Sequence, residues 1–169
     1  NAMNKYAAIV LSAGVGSRMK SDIPKQYMDL AGKPVIYYSL KAFEESGFSS
    51  IVLVCGKEDV SYCQKEIVEK YQFLKVQAIV EGGKERYHSV YEGLQRAKDA
   101  DYVLIHDGAR PFVTREIIER TLEGAKAYGA CIAGMPVKDT IKLADDDQNI
   151  ASTPERLVNA LLPAFVNAK

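Results

Sequence analysis

Lys5-Tyr6-Ala7-Ala8-Ile9-Val10-Leu11-Ser12 runs directly into Ala13-Gly14-Val15-Gly16-Ser17-Arg18-Met19-Lys20. The first eight residues form an apolar run of strand length, and two glycines follow it closely. The stretch reads as a buried strand delivered into a glycine-rich loop. Further along, Ser50–Cys55, Val76–Val80, Tyr102–His106 and Ala130–Pro136 are four more apolar runs of the same kind. Between them lie segments with helical spacing. Ile36, Leu40 and Phe43 recur after Pro34, which is placed to open a helix. Val60, Cys63, Ile67 and Tyr71 fall on one face of Glu58–Tyr71. Val90, Leu94 and Ala97 point inward from Tyr87–Ala97, and Thr114 is the expected N-cap of Thr114–Tyr128. Strand and helix therefore alternate, which predicts an α/β fold with a mainly parallel sheet covered on both faces.

The 169 residues suit a single domain over 3–169, with Asn1-Ala2 read as the remnant of a tag. Lys plus Arg and Asp plus Glu are both 22, so the net charge is +0, which argues against a nucleic-acid partner. No apolar run approaches a membrane span and no signal peptide is visible, so a cytoplasmic protein without a membrane partner is expected. Cys55, Cys63 and Cys131 form no CxxC pair and read as buried, reduced thiols.

In parallel sheets, ligands bind outside the carboxyl ends of the strands, so the loops after each strand hold the candidate residues. The first loop fits neither familiar phosphate motif. The dinucleotide fingerprint and the P-loop both require glycine where Met19 stands. What remains is a loop that delivers Arg18, with Lys25 seven residues later in Pro24-Lys25-Gln26. Two cations beside a glycine backbone suit a triphosphate and can offset charge at an attacked phosphoryl centre. The third strand leads to Glu81-Gly82-Gly83-Lys84-Glu85-Arg86, with Ser89 just beyond. The fourth leads to His106-Asp107-Gly108-Ala109-Arg110-Pro111. Asp107 is placed to hold Mg²⁺ bridging nucleotide phosphates, and Arg110 to grip the phosphate of a second substrate. Thr140 follows the fifth strand and is a further phosphate donor candidate. Asp145-Asp146-Asp147 reads as a hairpin turn with Gln148-Asn149 rather than a metal cluster.

Taken in order, LxAGxGxRM, PKQY, GKPVI, EGGxER, HDGARP and PVKDTIK resemble the 2-C-methyl-D-erythritol 4-phosphate cytidylyltransferases of the non-mevalonate isoprenoid pathway, from about Tyr6 to Arg156. The resemblance implies a Rossmann-like three-layer nucleotidyltransferase fold with a projecting β-arm. It implies transfer of CMP from CTP to 2-C-methyl-D-erythritol 4-phosphate, with Mg²⁺ and release of pyrophosphate. Arg18 and Lys25 would be catalytic. Ser12, Ala13, Gly14, Gly16, Arg18, Lys25, Gly83, Lys84 and Ser89 would bind CTP. Asp107 would ligate the metal, and Asp107, Arg110, Thr140 and Arg156 would hold the polyol phosphate. A dimerisation arm over about 138–156 would make a homodimer, with Arg156 reaching across the interface. The similar ribitol-5-phosphate cytidylyltransferases share much of this layout and leave the polyol open. A sugar-1-phosphate nucleotidyltransferase using another triphosphate is the rival within the enzyme class.

The family pattern then continues with a QTPQ-type motif, a Thr and a second catalytic Lys, none of which follows Arg156 here. Leu157–Lys169 reads instead as a terminal helix with Leu157, Leu161 and Phe165 on one face, and a middle segment is expected to be missing before it. A true absence of that segment would leave a CTP-binding module without catalysis.

Overall fold

The structure, a computed structural model, describes residues 4–14, 23–136, 142–153 and 158–167. Its sheet has the order β5-β4-β1-β6-β10-β7. Strands β1 (Tyr6–Ser12), β4 (Ser50–Cys55), β5 (Val76–Glu81) and β6 (Tyr102–Asp107) pair in parallel. β10 (Val158–Asn167) runs antiparallel between β6 and β7 (Ala130–Pro136), so β7 keeps the direction of the first four. Two small hairpins stand apart, β2–β3 (Asp29–Leu30, Lys33–Pro34) and β8–β9 (Leu143–Ala144, Ile150–Ser152). The α/β class, the mainly parallel sheet and the projecting arm agree with the sequence reading.

β1 supplies both faces of the core, because successive strand side chains point to opposite sides. Ala8 and Val10 join Leu40, Phe43, Ile67 and Ile118 in one cluster, and Ala7, Ile9 and Leu11 join Val52, Val54 and Val103 in the other. Helices α1 (Val35–Glu44) and α4 (Arg115–Tyr128) contribute to the first cluster. α2 (Val60–Tyr62) joins it too and continues as a π-helical segment, Cys63–Glu69. In α1, Ile36, Leu40 and Phe43 are all fully buried, as their spacing predicted. Each contributes roughly 1.5–3 kcal/mol of burial. Pro34 sits one position earlier than expected, as the extended N-cap residue with ψ 144°. Thr114 caps α4 as read from sequence, its Oγ1 accepting from Ile117 N at 3.3 Å. Gly129 ends the helix with φ 84°, a left-handed conformation that glycine adopts freely. Cys55 and Cys63 are buried free thiols, whereas Cys131 is only half-buried.

Two expectations are corrected. Val90 packs against the second cluster and Ala97, just past α3 (Arg86–Arg96), is buried, both as expected, but Leu94 is 37% exposed and Ser89 and Gly93 are the buried residues of the helix. A Cβ at Gly93 would stand 2.5 Å from Ile9 Cγ2, so the bare glycine lets the helix lie against β1 and turns Leu94 to the rim. The expected terminal helix over Leu157–Lys169 is also replaced by β10. Pro163 explains the difference. Inside a helix it would remove a hydrogen bond and clash with the preceding turn. In β10 it falls where the register with β7 shifts between Ala160 and Ala164, the irregular position at which strands accept proline.

The hairpin reading of the triple aspartate holds. Asp145 Oδ1 accepts from Asp147 N at 3.1 Å and from Asn149 N at 2.8 Å, closing the β8–β9 turn. Among the described residues no helix is long and apolar enough to cross a membrane.

Candidate active site

The chain leaves β1 for β4 and β5 on one side, then returns to place β6 on β1's other side. The strand order reverses between β1 and β6, and crevices form at such a switch point. Leu11, Gly14, Lys25, Gln26, Asp107, Ala109 and Arg110 line a cavity of about 510 Å³ there. Four residues chosen from sequence therefore meet at one place: Gly14, Lys25, Asp107 and Arg110. Lys25 is exposed and opens the 3-10 turn Lys25–Tyr27. Asp107 ends β6 with its carboxylate 28% exposed.

The turn from Asp107 to Arg110 is fixed from below. Arg110 N donates to Asp107 O at 3.0 Å, and Gly108 N donates to Leu11 O at 2.7 Å, tying the turn to β1. The Arg110 carbonyl accepts from Ser39 Oγ at 3.0 Å and from His106 Nε2 at 3.0 Å. His106 is 1% exposed and packs edge-on against Phe43. Since a carbonyl can only accept, the proton belongs on Nε2. Nδ1 is then an acceptor that finds no partner among the described residues. Burial pushes the His106 pKa down to about 4, so the ring is neutral near pH 7. It holds the turn rather than facing the cavity.

The loop after β1 is pinned by Gln26, whose buried Nε2 donates to Ser12 O at 2.7 Å and to Gly14 O at 3.3 Å. The Ser12 hydroxyl is turned inward, donating to Tyr27 OH at 3.1 Å, and Tyr27 OH in turn lies 3.2 Å from Cys63 Sγ. Burial pushes the Tyr27 phenol up, and a shared hydrogen bond with Cys63, then burial, does the same for the Cys55 thiol. Ser12 thus shapes the site from within. Ala13 meets the loop after β5: a Cβ at Gly82 would stand 2.5 Å from Ala13 Cβ and 2.6 Å from Ser89 Oγ. Ser89 is buried and accepts from Gly83 N at 3.2 Å, so it shapes the Gly83–Lys84 loop, and both of those residues are exposed. Gly16, Arg18, Thr140 and Arg156 lie outside the described residues.

Gln26 and Arg86 escaped the sequence reading. Gln26 stood inside the quoted PKQY motif, where only the lysine drew notice. Arg86 stood inside EGGxER, and its Nη2 donates to Asp107 Oδ1 at 3.1 Å. The charge on Asp107, at a strand end facing a glycine loop, was the available signal for such a partner.

Among the described residues, no three His, Cys, Asp or Glu side chains converge. A cage built by protein alone is therefore not offered by them. The part-exposed Asp107 carboxylate, paired with Arg86 and Arg110 and lining the same cavity as Lys25, fits the other habit of Mg²⁺, held by one or two carboxylates and the phosphates of a substrate.

A mainly parallel three-layer sheet whose switch point gathers a lysine, an arginine and a carboxylate beside a glycine loop has the build of a Rossmann-like nucleotidyltransferase. Residues 6–168 match the sequence model of the 2-C-methyl-D-erythritol 4-phosphate cytidylyltransferases, and the chain belongs to that family. The 2-C-methyl-D-erythritol 4-phosphate cytidylyltransferase of Lachnoclostridium phytofermentans is 51% identical over 154 residues, covering 91% of this chain and 66% of that protein. That of Lachnospira eligens is 55% identical over 150 residues, covering 88% and 66%. The crystal structure of 4-diphosphocytidyl-2C-methyl-D-erythritol synthase from Anaerococcus prevotii superposes with a TM-score of 0.80 at 27% identity, covering 98% of this chain and 72% of that one. The chain thus spans just under two thirds of the length of these curated relatives.

Proposed function

We propose that the protein transfers CMP from CTP to 2-C-methyl-D-erythritol 4-phosphate, forming CDP-methylerythritol and pyrophosphate. The observation that carries this reading is the meeting of Lys25, Asp107 and Arg110 around one cavity in a chain of this family. An oxygen of the polyol phosphate attacks the α-phosphorus of CTP, a new P–O bond forms, and the bond to the pyrophosphate oxygen breaks. The attacker is already an anion near neutral pH, so no general base is needed. This agrees with a cavity where Lys25 and Arg110 stand beside the Asp107 carboxylate, with His106 buried and neutral behind the turn.

Lys25 and Arg18 stabilise charge at the α-phosphorus, and the backbone around Gly14 and Gly16 receives phosphate oxygens. Gly83, Lys84 and the loop that Ser89 holds receive the cytidine, and Arg110, Thr140 and Arg156 receive the polyol phosphate. Mg²⁺ would be held by Asp107 together with the triphosphate, and it supplies neutralisation of phosphate charge. Positioning then accounts for much of the rate. The free thiols support a reducing, cytoplasmic setting.

The test is pyrophosphate release from CTP and Mg²⁺, with 2-C-methyl-D-erythritol 4-phosphate and D-ribitol 5-phosphate in parallel. Turnover with the first substrate alone is expected, and Lys25→Ala should lower it at least about 100-fold while CTP still binds. Turnover only with ribitol phosphate, or none from a protein that binds CTP, would overturn the reading.

A further inference from the structure

Each carboxylate oxygen of Asp107 faces an arginine. Oδ2 lies 3.3 Å from Arg110 Nε, within its own turn, and Oδ1 lies 3.1 Å from Arg86 Nη2. The two arginines differ in origin. Arg110 is three residues from Asp107 and moves with it. Arg86 is the first residue of α3, which follows β5 at the far edge of the sheet and packs back across β4 and β1. With the order β5-β4-β1-β6, the Arg86–Asp107 pair links the loop after β5 to the end of β6, across the line of β1. It therefore spans the place where a triphosphate held by the β1 loop would lie.

A divalent cation of this kind must approach a carboxylate oxygen to about 2.0–2.1 Å. A guanidinium on the same oxygen is displaced by that approach, or it repels the cation. The Arg86 side chain is 61% exposed, so its pair with Asp107 is worth at most about 1 kcal/mol and gives way easily. A guanidinium released there is chemically suited to a phosphate, which it binds well through parallel N–H bonds.

We propose that Arg86 is the exchangeable counter-ion of Asp107. It neutralises the carboxylate in the ligand-free protein, yields it to the divalent cation that accompanies a nucleoside triphosphate, and takes a phosphate oxygen of that nucleotide. The proposal rests on the assignment of Asp107 to the cation. Its consequence is thermodynamic coupling. A cation arriving alone must displace Arg86 with no phosphate to receive it, whereas cation and nucleotide together satisfy every charge, and each tightens the other.

The experiment is Mn²⁺ binding followed by electron paramagnetic resonance, with and without CTP, alongside CTP binding without metal. Wild type, Arg86→Gln and Asp107→Asn are compared, with circular dichroism confirming that each is folded. Arg86→Gln should bind Mn²⁺ alone about two- to fivefold more tightly than wild type, as loss of a pair worth up to about 1 kcal/mol implies. The same variant should bind metal-free CTP several-fold more weakly, so the Mn²⁺–CTP coupling shrinks. A purely structural Arg86 would move the melting temperature and leave the coupling unchanged, which would overturn the proposal. Unchanged or weaker Mn²⁺ binding in Arg86→Gln, or no signal from either protein, would overturn it too. Asp107→Asn separates the two assignments. If it loses Mn²⁺ while Arg86→Gln matches wild type, only the role of Arg86 falls. If it binds Mn²⁺ as wild type does, the metal assignment of Asp107 falls and takes the proposal with it.

Discussion

The imidazole of His106 fits its place behind Arg110 only while neutral. Its folded pKa, about 4, lies below the ordinary 6.5. Between those values the unfolded chain binds a proton that the folded protein refuses, so stability falls as pH falls through that window. The contribution is fully present above about pH 6.5 and reaches about 3 kcal/mol at its largest. Urea midpoints at about pH 7 and pH 4.5 will show it: His106→Gln should lose less stability between them than wild type, by about 2–3 kcal/mol. An equal loss would place the acid sensitivity elsewhere. Sequence alone singled out Lys25, Asp107 and Arg110 in the segments that follow β1 and β6, and the structure brings all three to one cavity. It did not identify Gln26, Ser39 or His106 as supports. Their roles depend on which carbonyls face them, and residue types do not record that.

Among the elements, α3 and β10 show where periodicity informs and where it misleads. The helical spacing of α3 is legible, but its inward face is set by the bare backbone at Gly93, and apolar counting favours Leu94 over a glycine. Gly93→Ala tests this directly. Alanine favours a helix by up to about 1 kcal/mol, but its methyl group would meet the stiff, branched Ile9 side chain. Overpacking of this kind costs roughly 1–3 kcal/mol, so a net loss in the urea midpoint is expected. A gain in stability would show that α3 can lift from β1 at little cost. In β10 the apolar spacing of Leu157, Leu161 and Phe165 suggested a helix. The proline between the last two decides against one, and here a single breaker outweighs a short periodic pattern.

For the whole molecule, alternation of strands and helices was enough to read an α/β sheet, since helices must cover both faces. The order of strands was not legible: β1, β4 and β6 are similar apolar runs, and nothing in a run names its neighbour. The switch point, and so the place where loops converge, emerges only from that order. Quaternary structure belongs to this scale as well. The β8–β9 arm exposes Leu143 and Ile150, at 52% and 65%, which supports its proposed role in a homodimer. Sedimentation should give a dimer for the intact chain and a monomer once residues 142–153 are replaced by a short Gly-Ser linker. A dimer that survives the replacement would locate the interface elsewhere.

The central position of β1 also has a cost in time. The strand that the whole sheet is built around emerges from the ribosome before any of its partners. Its link to the start of β6, from Lys5 N to Asp101 Oδ2, joins residues 96 positions apart. Until that partner is synthesised, one edge of an apolar strand stays open to other chains. Parallel pairings over such separations also form slowly. The feature that gathers the site at the middle of the sheet therefore leaves the nascent protein most prone to aggregation during its own synthesis.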